Sequence, residues 1–288
     1  MIAETTGATA TGTTGATGAQ PALDPRTILD DLDAGRVRAA WPDRGAPGGW
    51  RIDTAVKAAI LARFADLTTV DHDLDGVFQS RDRVGLPLKA LLDGTLAEAA
   101  AAAGRPWRVV PGGTTIRAGV HLGLGVVVMP PSYVNVGAWI GDDAMVDSHV
   151  LVGSCAQIGA RVHLAAGVQV GGVLEPPGAR PVIVEDGAFI GAQCGLFEGV
   201  LVGAGAVIAA GTILTGTSRL YDLTTERILR GTTADPLAVP PGAVVIPGSR
   251  SLDGAFARAH GLTASTALIV KYRDAGTDAR VALEEALR

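Results

Sequence analysis

From residue 108 onward, aliphatic residues return at every sixth position. They stand at Ile116, Leu122, Val128, Val134, Ile140, Val146, Val152, Ile158, Leu164 and Val170. The frame breaks over 171–183 and resumes at Val184, Ile190, Leu196, Val202, Ile208, Leu214 and Leu220. Four positions after these anchors stand small or β-branched residues such as Ser132, Ala138, Ala144, Ala156, Cys194 and Thr212. A period of six predicts a parallel β-helix. Each hexamer forms one short strand and one corner, the anchor pointing inward onto the anchor of the next coil. Three hexamers close a triangular coil of about eighteen residues. A sandwich would instead alternate with period two between regular turn signals, and that pattern is absent. The 171–183 segment carries Gly171-Gly172, Pro176-Pro177-Gly178 and Pro181, and its length does not fit the period. It is expected to leave the coil as an external loop, the kind of segment that carries function on a regular scaffold.

The flanking segments follow other patterns. Residues 24–104 read as helical. Asp24-Pro25 resembles a capped helix start, and Val56, Ala59, Ile60, Phe64 and Leu67 share one helix face. A second helix is expected over 87–103, ended by Gly104-Arg105-Pro106. Residues 239–245 look like a last coil, 266–271 like a strand and 275–288 like a terminal helix. Residues 1–22 are Ala/Thr/Gly-rich without periodicity and read as a disordered tail. The expected organisation is mainly β: a tail over 1–22, a small N-terminal helical domain over 23–106, the β-helix over 107–247 with its external loop, and a strand-and-helix segment over 248–288.

Composition agrees with a narrow prism. Glycine supplies 39 of 288 residues, charged residues make up 18% and aromatics 4%, against about 7% glycine and 25% charge in an average domain. The aliphatic content excludes disorder of the whole chain, and no apolar run is long enough for a membrane helix. A net charge of −5 argues against a general nucleic-acid binder. Two cysteines, Cys155 and Cys194, are too few for a disulfide framework and lack metal-ligand spacing. No secretory segment is evident, so a cytoplasmic protein is expected. His121, His149 and His163 are not spaced as a converging metal set, and no metal is expected. Asp147 and Glu198 stand out among the small residues beside the anchors. A prism also exposes flat faces that invite packing against copies of itself, so function is expected between subunits.

Several runs closely resemble the tetrahydrodipicolinate N-succinyltransferase family. They are Arg108-Val109-Val110-Pro111-Gly112, Met129-Pro130-Pro131-Ser132-Tyr133-Val134-Asn135-Val136-Gly137-Ala138, Met145-Val146-Asp147-Ser148, Val152-Gly153-Ser154-Cys155-Ala156-Gln157-Ile158-Gly159 and Gly171-Gly172-Val173-Leu174-Glu175-Pro176. Residues 186–199, Ser218-Arg219-Leu220-Tyr221-Asp222 and Ile269-Val270-Lys271 continue the likeness, which covers about 49–275. The resemblance implies a left-handed β-helix, a homotrimer with sites between subunits, and no permanently bound cofactor. It implies succinyl-CoA as co-substrate and an amino-oxo-pimelate, the opened form of tetrahydrodipicolinate, as acceptor. The reaction is then direct acyl transfer within a ternary complex, in diaminopimelate and lysine synthesis.

On this resemblance Asp147 accepts the proton of the attacking amine, with Glu198 as second acid, and Arg108 binds a carboxylate of the acceptor. Arg219 is the candidate for the other carboxylate. Gly172, Arg180, Arg250 and Lys271 are candidates for the coenzyme site under the loop. One departure stands out: many family members carry an acid where this chain has Gly195. Glu198 then takes that role, or Asp147 and backbone groups suffice, or the acceptor is a related one. The alternatives are a CoA-dependent N-acyltransferase using acetyl-CoA or another amino diacid, and a non-catalytic trimeric scaffold.

Overall fold

The computed structural model describes residues 23–92 and 94–274. The tail over 1–22 and the helix expected over 275–288 lie outside the described residues. The centre of the chain is a left-handed parallel β-helix. Two-residue strands stack into three parallel sheets, each strand pairing with the one eighteen residues away, as Trp139 pairs with His121 and with Gln157. The first face runs from His121–Leu122 to Ala238–Val239 and the third from Thr115–Ile116 to Ile213–Leu214. The second starts at Arg108–Val109 and continues into the long strands Ala243–Ser251 and Thr263–Tyr272.

All seventeen anchors are buried, each at most 5% exposed. They form one continuous core with the small inward residues, and full burial of each aliphatic side chain contributes about 1.5–3 kcal/mol. The corners have two rules. Directly after the anchor, space is lacking: a Cβ on Gly141 or Gly159 would lie 2.6 Å from a backbone nitrogen of the next coil. Three residues after the anchor the chain turns through the left-handed region. Asp143, His149, Cys155, Arg161 and Gln193 all do so at φ between 55° and 64°, and glycines take most of the remaining corners.

Two excursions interrupt the coil. Gln157 pairs with Ile183, eight residues beyond the eighteen-residue spacing, so eight residues of the external loop leave the prism. Val202 pairs with Val239, and the intervening chain forms the antiparallel pair Arg219–Asp222 with Arg227–Arg230. Arg219–Asp222 then joins Thr263–Tyr272, which pairs with Ala243–Ser251. The strand expected over 266–271 is thus longer at both ends, and the last coil forms as expected.

The N-terminal segment contains helices Ile28–Asp33, Thr54–Phe64 and Thr95–Ala102. Asp53 caps the second by accepting from the Val56 N–H at 3.1 Å. Two antiparallel pairs, Ala40–Pro42 with Trp50–Ile52 and Thr69–Leu74 with Phe78–Arg83, stand where helix was expected. Asp75-Gly76 turns the second hairpin with both φ positive, the geometry that an Asp-Gly pair favours. The segment docks on the first face through Arg38, whose guanidinium lies 4.2 Å from the Trp139 ring centroid and 5.2 Å from that of Trp50. Burial lowers the Arg38 pKa to about 10, and the two indole faces compensate as cation–π partners.

Candidate active site

Asp147 follows anchor Val146 at the corner between the second and third faces. The small-residue rule for this position is broken here, and the side chain turns outward. Its Oδ1 accepts the Ser148 N–H at 2.7 Å while its own N–H donates to the Leu164 carbonyl at 2.9 Å. The carboxylate is therefore held in one orientation and half-buried. Oδ2 has no hydrogen-bond donor among the described residues. Arg108 lies two strands away in the second sheet, through the pairs Arg108–Val127 and Val127–Met145. That is about 10 Å along the prism axis. Arg108 is the charged residue among the described lining of a cavity of about 640 Å³ whose walls include Leu91, Ala97, Trp107 and Val110. Trp107 is fixed there by donating its indole N–H to the Leu91 carbonyl at 3.0 Å. A cation in apolar walls suits one end of an amphipathic carboxylate.

Glu198 occupies a different edge, the corner between the third and first faces, two coils further along. It is exposed and left-handed at φ 56°, directly before Gly199 at φ 73°. Most other corners turn on one such residue. Within one chain the prism therefore keeps Asp147 and Glu198 apart.

The basic residues sort into three fates. Arg219 and Arg250 line one cavity of about 420 Å³ with Thr215, Thr217, Ser218 and Thr266, and no carboxylate is among its lining residues. Arg219 stands eight strands from Arg108 in the same sheet, about 38 Å at sheet spacing. The expected pairing of Arg219 with Arg108 on one short diacid is therefore not what the fold provides; Arg219 partners Arg250 instead. Arg180 also departs from expectation. It is 7% exposed, and its guanidinium donates to the carbonyls of Gly199 at 2.9 Å and Pro236 at 2.6 Å. It clamps the loop to the prism and is not open to a phosphate. Lys271 is exposed and paired with Asp274 at 2.8 Å. It stands opposite Val244, six residues along the strand from Arg250, which places it outside the Arg250 cavity.

Gly172 is exposed at the root of the loop, where a Cβ would lie 2.7 Å from the Ser154 nitrogen. Its neighbour Gly171 and the distant Gly195 both accommodate Phe197: a Cβ on Gly171 would meet that ring at 2.8 Å and one on Gly195 at 2.5 Å. The acid absent at 195 is thus replaced by an aromatic ring. Sequence reasoning missed this, and it missed Lys57, a fully buried lysine whose Nζ donates to the Ala179 carbonyl at 2.7 Å. Both cysteines are buried; burial pushes the Cys155 thiol up to about 12, which makes it a poor nucleophile. Among the described residues no group of three or more His, Cys, Asp or Glu is placed to hold a metal ion.

Residues 181–216 match the family model described as the hexapeptide repeat of succinyl-transferase. A 2,3,4,5-tetrahydropyridine-2,6-dicarboxylate N-succinyltransferase from Idiomarina loihiensis is 42% identical over 91% of this chain and 88% of its own length. The protein of that name from Polynucleobacter asymbioticus is 41% identical over 91% and 87%. A solved Campylobacter jejuni structure described as a 2,3,4,5-tetrahydropyridine-2-carboxylate N-succinyltransferase is 17% identical. It aligns with a TM-score of 0.45 over 86% of this chain and 63% of that one. On the identity and coverage of the first two relatives, the chain belongs to the 2,3,4,5-tetrahydropyridine-2,6-dicarboxylate N-succinyltransferase family.

Proposed function

We propose that this chain transfers the succinyl group of succinyl-CoA to the amine of 2-amino-6-oxopimelate, as a cytoplasmic homotrimer of diaminopimelate and lysine synthesis. The observation that carries the reading is Asp147, a carboxylate with one oxygen fixed by the backbone and the other uncommitted, in a chain whose relatives bear that activity in their names. The acceptor ammonium gives a proton to Asp147. The freed nitrogen attacks the thioester carbonyl, its second proton passes to the sulfur as the C–S bond breaks, the coenzyme leaves as a thiol, and Asp147 releases the first proton to solvent. A backbone N–H at a corner stabilises the passing oxyanion. Arg108, about two strands from Asp147, binds an acceptor carboxylate.

The Arg219–Arg250 cavity receives the phosphates of the coenzyme. The strand Ala243–Ser251 lies four strands from that of Asp147, about 19 Å along the sheet, a span on the scale of a pantetheine arm. The separation of Asp147 from Glu198 supports a site completed by a neighbouring subunit. CoA release from succinyl-CoA with 2-aminopimelate as acceptor tests the reading. Turnover with succinyl-CoA well above acetyl-CoA is expected, and no CoA release from either donor rejects it.

A further inference from the structure

Arg38 is half-buried between two indoles, and its hydrogen bonding there is incomplete. Its Nε donates to Gln157 Oε1 at 2.5 Å, while neither Nη group has an acceptor among the described residues. Arg38 lines a cavity of about 440 Å³ along the edge between the first and second faces, with Pro42, Trp50 and Ala160 among its walls. Asp142 and Asp186 line the same cavity from the prism, at corners two coils apart, about 10 Å along the axis. Each carboxylate is oriented through one oxygen. Asp142 Oδ1 accepts the Leu124 N–H and Asp186 Oδ1 the Ala160 N–H, both at 2.9 Å. Gly159 leaves room for the second, since a Cβ there would lie 2.5 Å from Asp186 Oδ1. The two Oδ2 atoms have no donor among the described residues. Asp186 is near enough to oppose the burial that lowers the Arg38 pKa, yet no ion pair joins them among the described residues. Glu185, the third carboxylate of the lining, is committed: Oε1 takes the Trp50 indole N–H at 2.8 Å and Oε2 the Ala204 N–H at 3.0 Å.

A half-buried guanidinium with free donors calls for an anion, and two carboxylates with a free oxygen each call for cations. Burial lowers the pKa of His121, also in the lining, to about 4, so it is uncharged near neutral pH. The cavity thus presents one open cation and two open carboxylates. Their complement is a molecule with one carboxylate, two ammonium groups and an apolar stem to lie against Pro42 and Ala160. We propose that this cavity binds a free basic amino acid, its carboxylate on the Arg38 fork and one ammonium toward each of Asp142 and Asp186. The cavity lies on a different edge of the prism from Asp147, and neither the site nor its test depends on the transferase reading. Arg38 belongs to the N-terminal segment and the two acids to the prism, so the bound amino acid ties one to the other.

Calorimetry and thermal melting on the full chain test this with three probes. L-Lysine carries all three groups, L-norleucine lacks the side-chain ammonium, and 1,5-diaminopentane lacks the carboxylate. Saturable binding of L-lysine with a raised melting temperature is expected. Each of the other two should bind at least about tenfold more weakly, the order for losing a charge-assisted hydrogen bond. Asp186→Asn keeps an oxygen for the Ala160 N–H and loses the charge. It is expected to melt within a few degrees of wild type and to weaken L-lysine binding at least about tenfold. Asp142→Asn, which keeps an oxygen for the Leu124 N–H, is expected to do the same. Asp147→Asn is expected to leave the affinity within about twofold, as for sites that share no partners. The proposal is overturned by absence of saturable L-lysine binding, by either other probe binding as tightly, or by unchanged affinity in either folded acid variant. Loss of L-lysine binding in Asp147→Asn also overturns it, by placing the amino acid at the proposed proton acceptor. Should the variants fail to fold, the ranking of the three probes on wild-type protein decides alone.

Discussion

Lys57, on the helix Thr54–Phe64, is tied to Ala179 in the external loop: its fully buried Nζ donates to that carbonyl at 2.7 Å, with the Pro176 carbonyl at 3.4 Å. It has no carboxylate partner among the described residues, and burial pulls its pKa down. The two carbonyls are what make the buried ammonium tolerable. The helix is thereby an anchor for the loop next to the clamp that Arg180 makes.

Lys57→Met fills much of the same volume and leaves both carbonyls without their donor. Losing hydrogen bonds to a charged group costs about 1–3 kcal/mol, partly offset by removing a buried charge. Faster amide hydrogen exchange confined to 171–183 is expected, together with a lower denaturation midpoint. Exchange in the loop equal to wild type would show that Lys57 does not hold it.

On the proposed function, Arg250 contacts the coenzyme and Lys271 does not. Arg250 shares its cavity with Arg219, whereas Lys271 is paired with Asp274. Arg250→Ala is expected to raise the KM for succinyl-CoA by about ten- to a hundredfold, the range for a charge-assisted contact, with little change in kcat. The effect should shrink as salt screens the site. Lys271→Ala is expected to leave the KM within about twofold, since exposed ion pairs contribute little. Steady-state kinetics at two ionic strengths decide it.

Much of this architecture was legible because every coil imposes the same constraint. An anchor such as Ile158 must be aliphatic whatever the coil does functionally, and where the next coil crowds the corner its follower, as at Gly159, must be small. The site was less legible because its residues are defined by contacts across the fold. Arg180 reads as a surface arginine until the carbonyls of Gly199 and Pro236 come round to meet it. Gly195 reads as a lost acid, while its physical cause, the Phe197 ring, lies two residues on. The hairpin at Asp75-Gly76 did carry a local signal, outweighed by the apolar helical spacing before it.

His121 makes stability depend on pH. It stacks on Trp139 with ring centroids 3.8 Å apart, and its Nδ1 lies 3.2 Å from the Asp33 carbonyl oxygen. Burial lowers its pKa to about 4, against about 6.5 in an unfolded chain. Between those values the unfolded chain binds a proton that the folded one refuses, so stability falls as pH drops from about 6.5 toward 4 and levels off below. His121→Phe keeps a stacking ring and cannot titrate. Melting temperatures between pH 4.5 and 7 should slope less in this variant than in wild type; parallel slopes would assign the pH dependence to other groups.

The two oxygens of Asp147 have separable tasks. Oδ1 accepts the Ser148 N–H and shapes the corner; on the proposed function Oδ2 takes the proton of the acceptor. Asp147→Asn retains an oxygen for Ser148 and loses the basicity. It is expected to melt within a few degrees of wild type and to keep its oligomeric state, while kcat falls by about 10²- to 10⁴-fold, the usual share of a positioned general base. Asp147→Ala loses both tasks and should show the same kinetic loss with a lower melting temperature. Glu198→Gln, on another edge of the prism, completes the comparison. If Glu198 substitutes for the acid missing at Gly195, its kcat falls as well; if Asp147 acts alone, kcat is retained. An Asp147→Asn variant with near wild-type kcat would remove Asp147 as the proton acceptor, and the acid limb of the kcat/KM profile would then have to be sought at Glu198.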